Sequence, residues 1–130
     1  MNLRTPLSQV RGLGSARDGT HHFVWQRFSA MALIPLILWF VASLIFFMLK
    51  ASHASLVSWI KAPVHAELLI LFLLFWFYHA YIGLHEVVVD YVHNQVLKVT
   101  TLVLIQLVIM MMTVISILAI LRITLGGYIV

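Results

Sequence analysis

Three long apolar runs divide the chain. The first extends from about Phe28 to Leu49, the second from about Val64 to Val89, and the third from about Val99 to Leu121. Each is about 20 residues or longer, enough for an α-helix to cross a hydrocarbon core of ~30 Å. The first connection, KASHASLVSWIKAP, is polar and carries Lys50 and Lys61; the second, DYVHNQVLK, is short. Three similar runs joined by short loops predict an all-α fold, an integral membrane bundle of three transmembrane helices. A polar segment, residues 1–27, precedes this anchor domain, residues 28–130. Pro35 lies one to two turns inside the first run and predicts a mild kink there. There is no internal repeat and no low-complexity tract.

Composition supports the membrane reading. The 130 residues are 63% hydrophobic and 9% charged, with a mean hydropathy of +1.07. A soluble domain carries roughly a quarter charged residues. There is no cysteine, which excludes disulfides and thiolate metal sites. The formal charge of +4 reads as membrane topology rather than nucleic-acid binding. Placing the N-terminus inside puts Arg4, Arg11, Arg17, Arg27 and Lys98 on that side, against Lys50, Lys61 and Arg122 on the other. The positive-inside rule therefore predicts a cytoplasmic N-terminus and a C-terminus on the opposite side. The polar N-terminal segment has no apolar core of its own, unlike a secretory signal. Asp18 and its mixed turn residues speak against a mitochondrial presequence.

The second run ends in HAYIGLHEVVVDYVHN, residues 79–94, where ionisable groups follow an uninterrupted apolar stretch. An α-helix turns 100° and rises 1.5 Å per residue. His79, Gly83, Glu86 and Asp90 then form one stripe, with Asp90 about three turns and ~16 Å beyond His79. This places His79 near mid-membrane and Asp90 with Tyr91 at the inner interface. Such a stripe faces protein or a cofactor, because ionisable groups are costly against lipid. Gly83 leaves room for something bulky one turn from His79. A neutral imidazole at this depth is a good axial ligand for haem iron. It is equally a packing histidine hydrogen-bonded to a neighbouring helix, and both readings stand on the spacing.

The other histidines are read differently. His85 is on another face, about 240° round, and His85 and His93 lie near the interface. His65 and Glu67 sit near the outer end, and His53 in the outer loop. The adjacent His21 and His22 are accompanied by neither an HxxxH nor an HExxH pattern. A bis-histidine haem needs a ligand on each side of the iron. The first and third runs contain no histidine. If His79 binds such a haem, its second ligand comes from another chain.

These features together resemble a family: the small hydrophobic membrane-anchor subunits of bacterial succinate dehydrogenase (succinate:quinone oxidoreductase, respiratory complex II). The resemblance covers most of the chain. It rests on RTPLSQVRGLGSARDGTHHFVWQR before the first run, on His79-Ala80-Tyr81-Ile82-Gly83, and on Asp90-Tyr91-Val92 eleven residues after the histidine. The leader is most similar to the proteobacterial form. The resemblance implies a multi-pass protein of the bacterial inner membrane that helps pass electrons from succinate oxidation to ubiquinone. It implies a b haem shared with a second membrane anchor of the cytochrome b556 type, one histidine from each chain, with His79 as the axial ligand here. Arg27, and more loosely His21, match basic residues near the haem propionates. Tyr91 matches a tyrosine that hydrogen-bonds a quinone oxygen, and Asp90 its neighbour. An iron–sulfur subunit and a flavoprotein subunit are the implied soluble partners.

The physical reading of each residue agrees. Haem propionates need cations at the interface, and quinone reduction takes up protons, for which a phenol beside a carboxylate at the wet edge is suited. Alone, Tyr91 would read as an interfacial aromatic and Arg27 as a positive-inside anchor. Glu86 is a proton relay or the partner of a basic group on another subunit. Two further functions compete: the anchor of a haem-containing fumarate reductase, and a small transport or scaffold protein with a polar substrate path. The absence of inverted repeats and of broken-helix pairs speaks against the last.

Overall fold

The computed structural model describes residues 16–48 and 52–126. Arg4, Arg11 and Lys50, which entered the orientation argument, and the RTPLSQVRGLGS part of the leader lie outside the described residues. Among the described residues four helices follow one another: α1 (Ala16–Met48), α2 (His53–Lys61), α3 (Pro63–Tyr91) and α4 (Gln95–Leu125). Among the described residues there is no strand. Three helical stretches are long and apolar enough to cross a membrane: Phe23–Phe47, Pro63–Tyr91 and Gln95–Leu125. The expected three-span, all-helical architecture is therefore present, and the protein is a multi-pass membrane protein.

The helices outrun the apolar runs because local chemistry, not hydropathy, sets their ends. α1 begins at Ala16, well inside the segment that reads as polar, and continues through Pro35. The missing amide at Pro35 leaves the helix assignment unbroken, as neighbouring helices permit in a membrane bundle. α3 opens with Pro63 in its first turn, where the absent N–H would have had no helical acceptor. At its other end, Val92 N–H still donates to Val88 O. Lys98, reaching back from α4, donates Nζ to Val89 O at 3.0 Å. A cation is thus placed at the negative end of the α3 dipole. α4 starts under the Asn94 cap, whose Oδ1 accepts from Val96 N–H at 3.0 Å and Leu97 N–H at 3.2 Å.

The polar connection contains a helix that hydropathy does not announce. Ser52 caps α2, accepting from Ser55 N–H. α2 packs on both α3 and α4: Ile60 joins the cluster of Ala66, Leu69 and Ile120, and Trp59 stacks on His65 of α3 at 4.5 Å and on Trp39 of α1 at 5.7 Å, with Phe47 edge-on at 5.1 Å. His65 Nδ1 lies 3.0 Å from Trp59 O. α2 therefore folds back over the start of α3, at the end of the bundle opposite Tyr91.

α3 is the central element, packed between α1 and α4. Leu33 and Leu36 of α1 are buried with Phe72 of α3, and Phe40 stacks on Phe72 at 4.9 Å. Ala66 and Leu69 are buried with Ile120 of α4. The pairs Trp25–Tyr78 and Trp39–His65 make α1 and α3 antiparallel, and Lys98–Val89 with Ile120–Leu69 does the same for α3 and α4. The remaining apolar surface is outward: Leu104, Val108, Met111 and Ile115 of α4 are all about half exposed or more. Lipid or a partner helix covers such faces in a membrane protein, where polarity rather than burial decides what may point outward.

Asn94→Ala removes the cap of α4 and frees two amides. We expect a loss of about 1 kcal/mol, read as a lower midpoint for unfolding of the detergent-solubilised protein by SDS. Asn94→Asp, which keeps an acceptor oxygen, retains most of the stability.

Candidate functional site

His79 is half-buried on the α1-facing side of α3. Its Nδ1 is 2.9 Å from Ser29 Oγ. Ser29 is completely buried and also donates its hydroxyl to Gln26 O at 2.9 Å. Beside this contact lies a groove of about 360 Å³ between α1 and α3, lined by Ala30, Leu33, Ile34, Ile37, Trp76, His79 and Ala80. His79 is the one ionisable side chain in that lining. Two alanines lower the groove walls, and among the described residues His79 Nε2 makes no hydrogen bond. One turn further along α3, a Cβ on Gly83 would meet nothing within 4 Å. The donor set suits a planar, apolar group bound through one imidazole nitrogen, and the remaining lining residues offer no second ligand. Among the described residues no cluster of three or more His, Cys, Asp or Glu side chains could hold a bare metal ion.

Arg27 is exposed at the Ile34 edge of the groove side of α1, about 160° round the helix from Ser29. It lies three residues before Ala30 and seven before Ile34, so about 60° and 20° away round the helix. Its guanidinium sits 4.6 Å above the Phe23 ring, a cation–π contact one turn further out. His21 is not brought to this side. It is six residues before Arg27, about 120° round the helix, where its Nε2 accepts from Trp25 Nε1 at 3.1 Å. The same spacing was available in the sequence and separates the two residues without a structure.

The antiparallel register also brings Arg27 and His79 to nearly the same height along the bundle. Ser29 meets His79 directly, and Arg27 is only two residues from Ser29, a rise of ~3 Å.

Asp90 and Tyr91 occupy the last turn of α3, both exposed, Tyr91 at 77%. Tyr91 uses its backbone carbonyl towards His93 Nδ1, at 3.1 Å, while its hydroxyl has no hydrogen bond among the described residues. Asp90 lies on the His79 stripe, about three turns and ~16 Å away. The two groups are stations on one helix face rather than one pocket. His85 is on a different face, its Nδ1 approaching Glu86 Oε1 at 3.9 Å and its ring 6.1 Å from that of Tyr81.

Residues 1–120 match the family described as Succinate dehydrogenase/Fumarate reductase transmembrane subunit. The chain belongs to this family. A protein of Rickettsia bellii named Succinate dehydrogenase hydrophobic membrane anchor subunit is 29% identical over 109 residues, covering 82% of this chain and 84% of the relative. A Rickettsia felis protein of the same name is 31% identical over 93 residues, covering 69% of this chain and 74% of the relative. No solved structure matches the chain. The fumarate reductase alternative falls within the same family, whereas the transport and scaffold reading does not.

For a family of transmembrane subunits, an open groove beside a polar side chain is a natural place for another group to dock. Gly83→Ala meets no atom in this chain and exchanges a poor helix former for a good one, worth up to about 1 kcal/mol. We expect unchanged or slightly raised stability of the chain itself, measured by SDS unfolding in detergent. A defect of Gly83→Ala confined to the assembled complex marks the face beside His79 as one that something else occupies.

Proposed function

We propose that this chain is the hydrophobic membrane-anchor subunit of a bacterial succinate dehydrogenase, lying in the inner membrane with its N-terminus cytoplasmic. The observation that carries the reading is His79: an imidazole in an open apolar groove, with one nitrogen engaged by the protein and the other available. Haem b, when bound, supplies a one-electron carrier. His79 would hold it through Nε2, with Ala30 and Ala80 admitting its edge. Arg27, at the same height and on the groove side of α1, would neutralise a propionate. His21 faces elsewhere, which leaves it a weaker claim on that region. A second protein ligand to the haem would come from a second membrane anchor of the cytochrome b556 type, since His79 is the one imidazole in the groove lining.

Tyr91 would donate its phenol hydrogen to a quinone oxygen at the end of α3. Ubiquinone is apolar but must take up protons with its electrons, so its head group belongs where the hydrocarbon meets water. Asp90 beside it would orient the phenol or deliver a proton from the cytoplasmic side. The iron–sulfur and flavoprotein subunits would dock at that same end and provide the electrons taken from succinate. In this assembly the chain has no active site of its own and contributes to the quinone site.

His79→Ala should remove or reshape the b-type α-band in reduced-minus-oxidised spectra of the purified complex, while His85→Ala leaves it as in wild type. Wild-type spectra and haem content in both variants exclude His79 as the ligand.

Tyr91→Phe should lower quinone reductase activity several-fold while sparing succinate oxidation by a dye that takes electrons upstream. The lost hydrogen bond is worth about 0.5–1.5 kcal/mol net, more if it strengthens as charge develops on the quinone. Both activities are measured on the same membranes and normalised to assembled flavin. An unchanged ratio across quinone concentrations would leave Tyr91 as an interfacial anchor.

A further inference from the structure

We infer that Ser29 is a positioning residue that fixes the tautomer of His79, holding the ring proton on Nδ1 and leaving the Nε2 lone pair free to bind. The claim rests on the ligand role proposed above for its functional meaning, but its chemistry is internal to the chain. A serine hydroxyl carries one hydrogen. At Ser29 that hydrogen goes to Gln26 O, 2.9 Å away, because a carbonyl can only accept. Towards His79 Nδ1, also at 2.9 Å, the same oxygen must then accept, so the ring must donate. The opposite tautomer would need the hydroxyl to turn from Gln26 to Nδ1 and would protonate Nε2, which has no acceptor among the described residues. A completely buried serine has no water with which to escape this choice.

Two consequences follow for a ligand histidine. The proton that free imidazole prefers to carry on Nε2 is moved away before any group arrives, so binding requires no tautomer exchange. The Nδ1–H···Oγ bond also pins the rotation of the ring and strengthens Nε2 as a donor to a bound group, as acceptors behind ligand histidines do.

The test has two arms. The full chain, with its histidines labelled with nitrogen-15, is produced in a haem-deficient host and purified in detergent micelles. Nitrogen resonances recorded at a pH where the rings are neutral distinguish a protonated ring nitrogen from one with a lone pair, and His79→Gln identifies the His79 signals. We expect His79 protonated on Nδ1 in wild type, protonation shifted wholly or partly to Nε2 in Ser29→Ala, and the wild-type pattern restored in Ser29→Thr. In the assembled complex, the haem that Ser29→Ala retains should have a higher midpoint potential than wild type, because a weaker donor ligand stabilises ferric iron less, and Ser29→Thr should return it. A serine that merely packs would lower haem content without moving the potential of what remains. His79 protonated on Nε2 in wild type, or a wild-type tautomer in Ser29→Ala, overturns the inference. An unaltered haem spectrum in His79→Gln overturns instead the ligand reading, while the nitrogen resonances still decide the role of Ser29.

Discussion

Within hydrocarbon a polar group has no water to turn to, and the protein must answer for it. That constraint organises the region around His79. The Ser29–His79 hydrogen bond ties α1 to α3 at 2.9 Å. Other lone hydroxyls of the apolar helices bond to their own backbone: Ser43 to Trp39 O, Thr113 to Ile109 O and Thr124 to Ile120 O. Ser29 does so too, but is also met by a side chain from another helix. A directional bond at this point fixes the register of α1 against α3, which apolar packing alone specifies only loosely, since leucine and phenylalanine rows accept several offsets.

The register, once fixed, places everything else. It sets Arg27 at nearly the height of His79 and on the groove side of α1, and it sends the N-terminal part of α1 towards the end where α3 presents Asp90 and Tyr91. At that end Lys98 and Asn94 close the α3–α4 turn with hydrogen bonds to backbone groups. At the other end the Trp39–Trp59–His65 stack holds α2 across the start of α3. The helix carrying the stripe of polar residues is thus clamped at both ends and along its length, while α1 and α4 turn broad apolar faces outward.

The three spans were legible because hydropathy over about 20 residues is a strong signal and lipid enforces it. The His79-to-Asp90 stripe was equally legible, since helical spacing is arithmetic. Other features were not. α2 is too short to span and is capped by Ser52, a local hydrogen bond that a polar composition hides. The start of α1 at Ala16 is invisible to hydropathy because a helix continues into water wherever nothing stops it. Ser29 has no sequence signature: it is one serine in an apolar run, as Ser43 is, and only the packing of α3 distinguishes them. The shared height of Arg27 and His79 was hidden for the same reason, because a depth read along one helix contains no information about its neighbour. The separation of His21 from Arg27, by contrast, could have been read from six residues of spacing.

The groove also bears on why such a chain would work only in company. Its lining is apolar apart from His79, and Gly83 leaves open space one turn along. A planar group seated there would be covered on one side and bare on the other, with half of its coordination and most of its apolar edge exposed. Closing that side with another helix would satisfy the group and bury apolar surface of α1 and α3 together. On the proposed reading, the cofactor and the partner helix each complete a site that the other leaves unfinished. Between apolar helices in lipid there is no hydrophobic drive to associate, so a shared ligand with one bond to each chain would supply specificity to the contact. Assembly and cofactor loading would then be two aspects of one equilibrium, both resting on the orientation of a single imidazole.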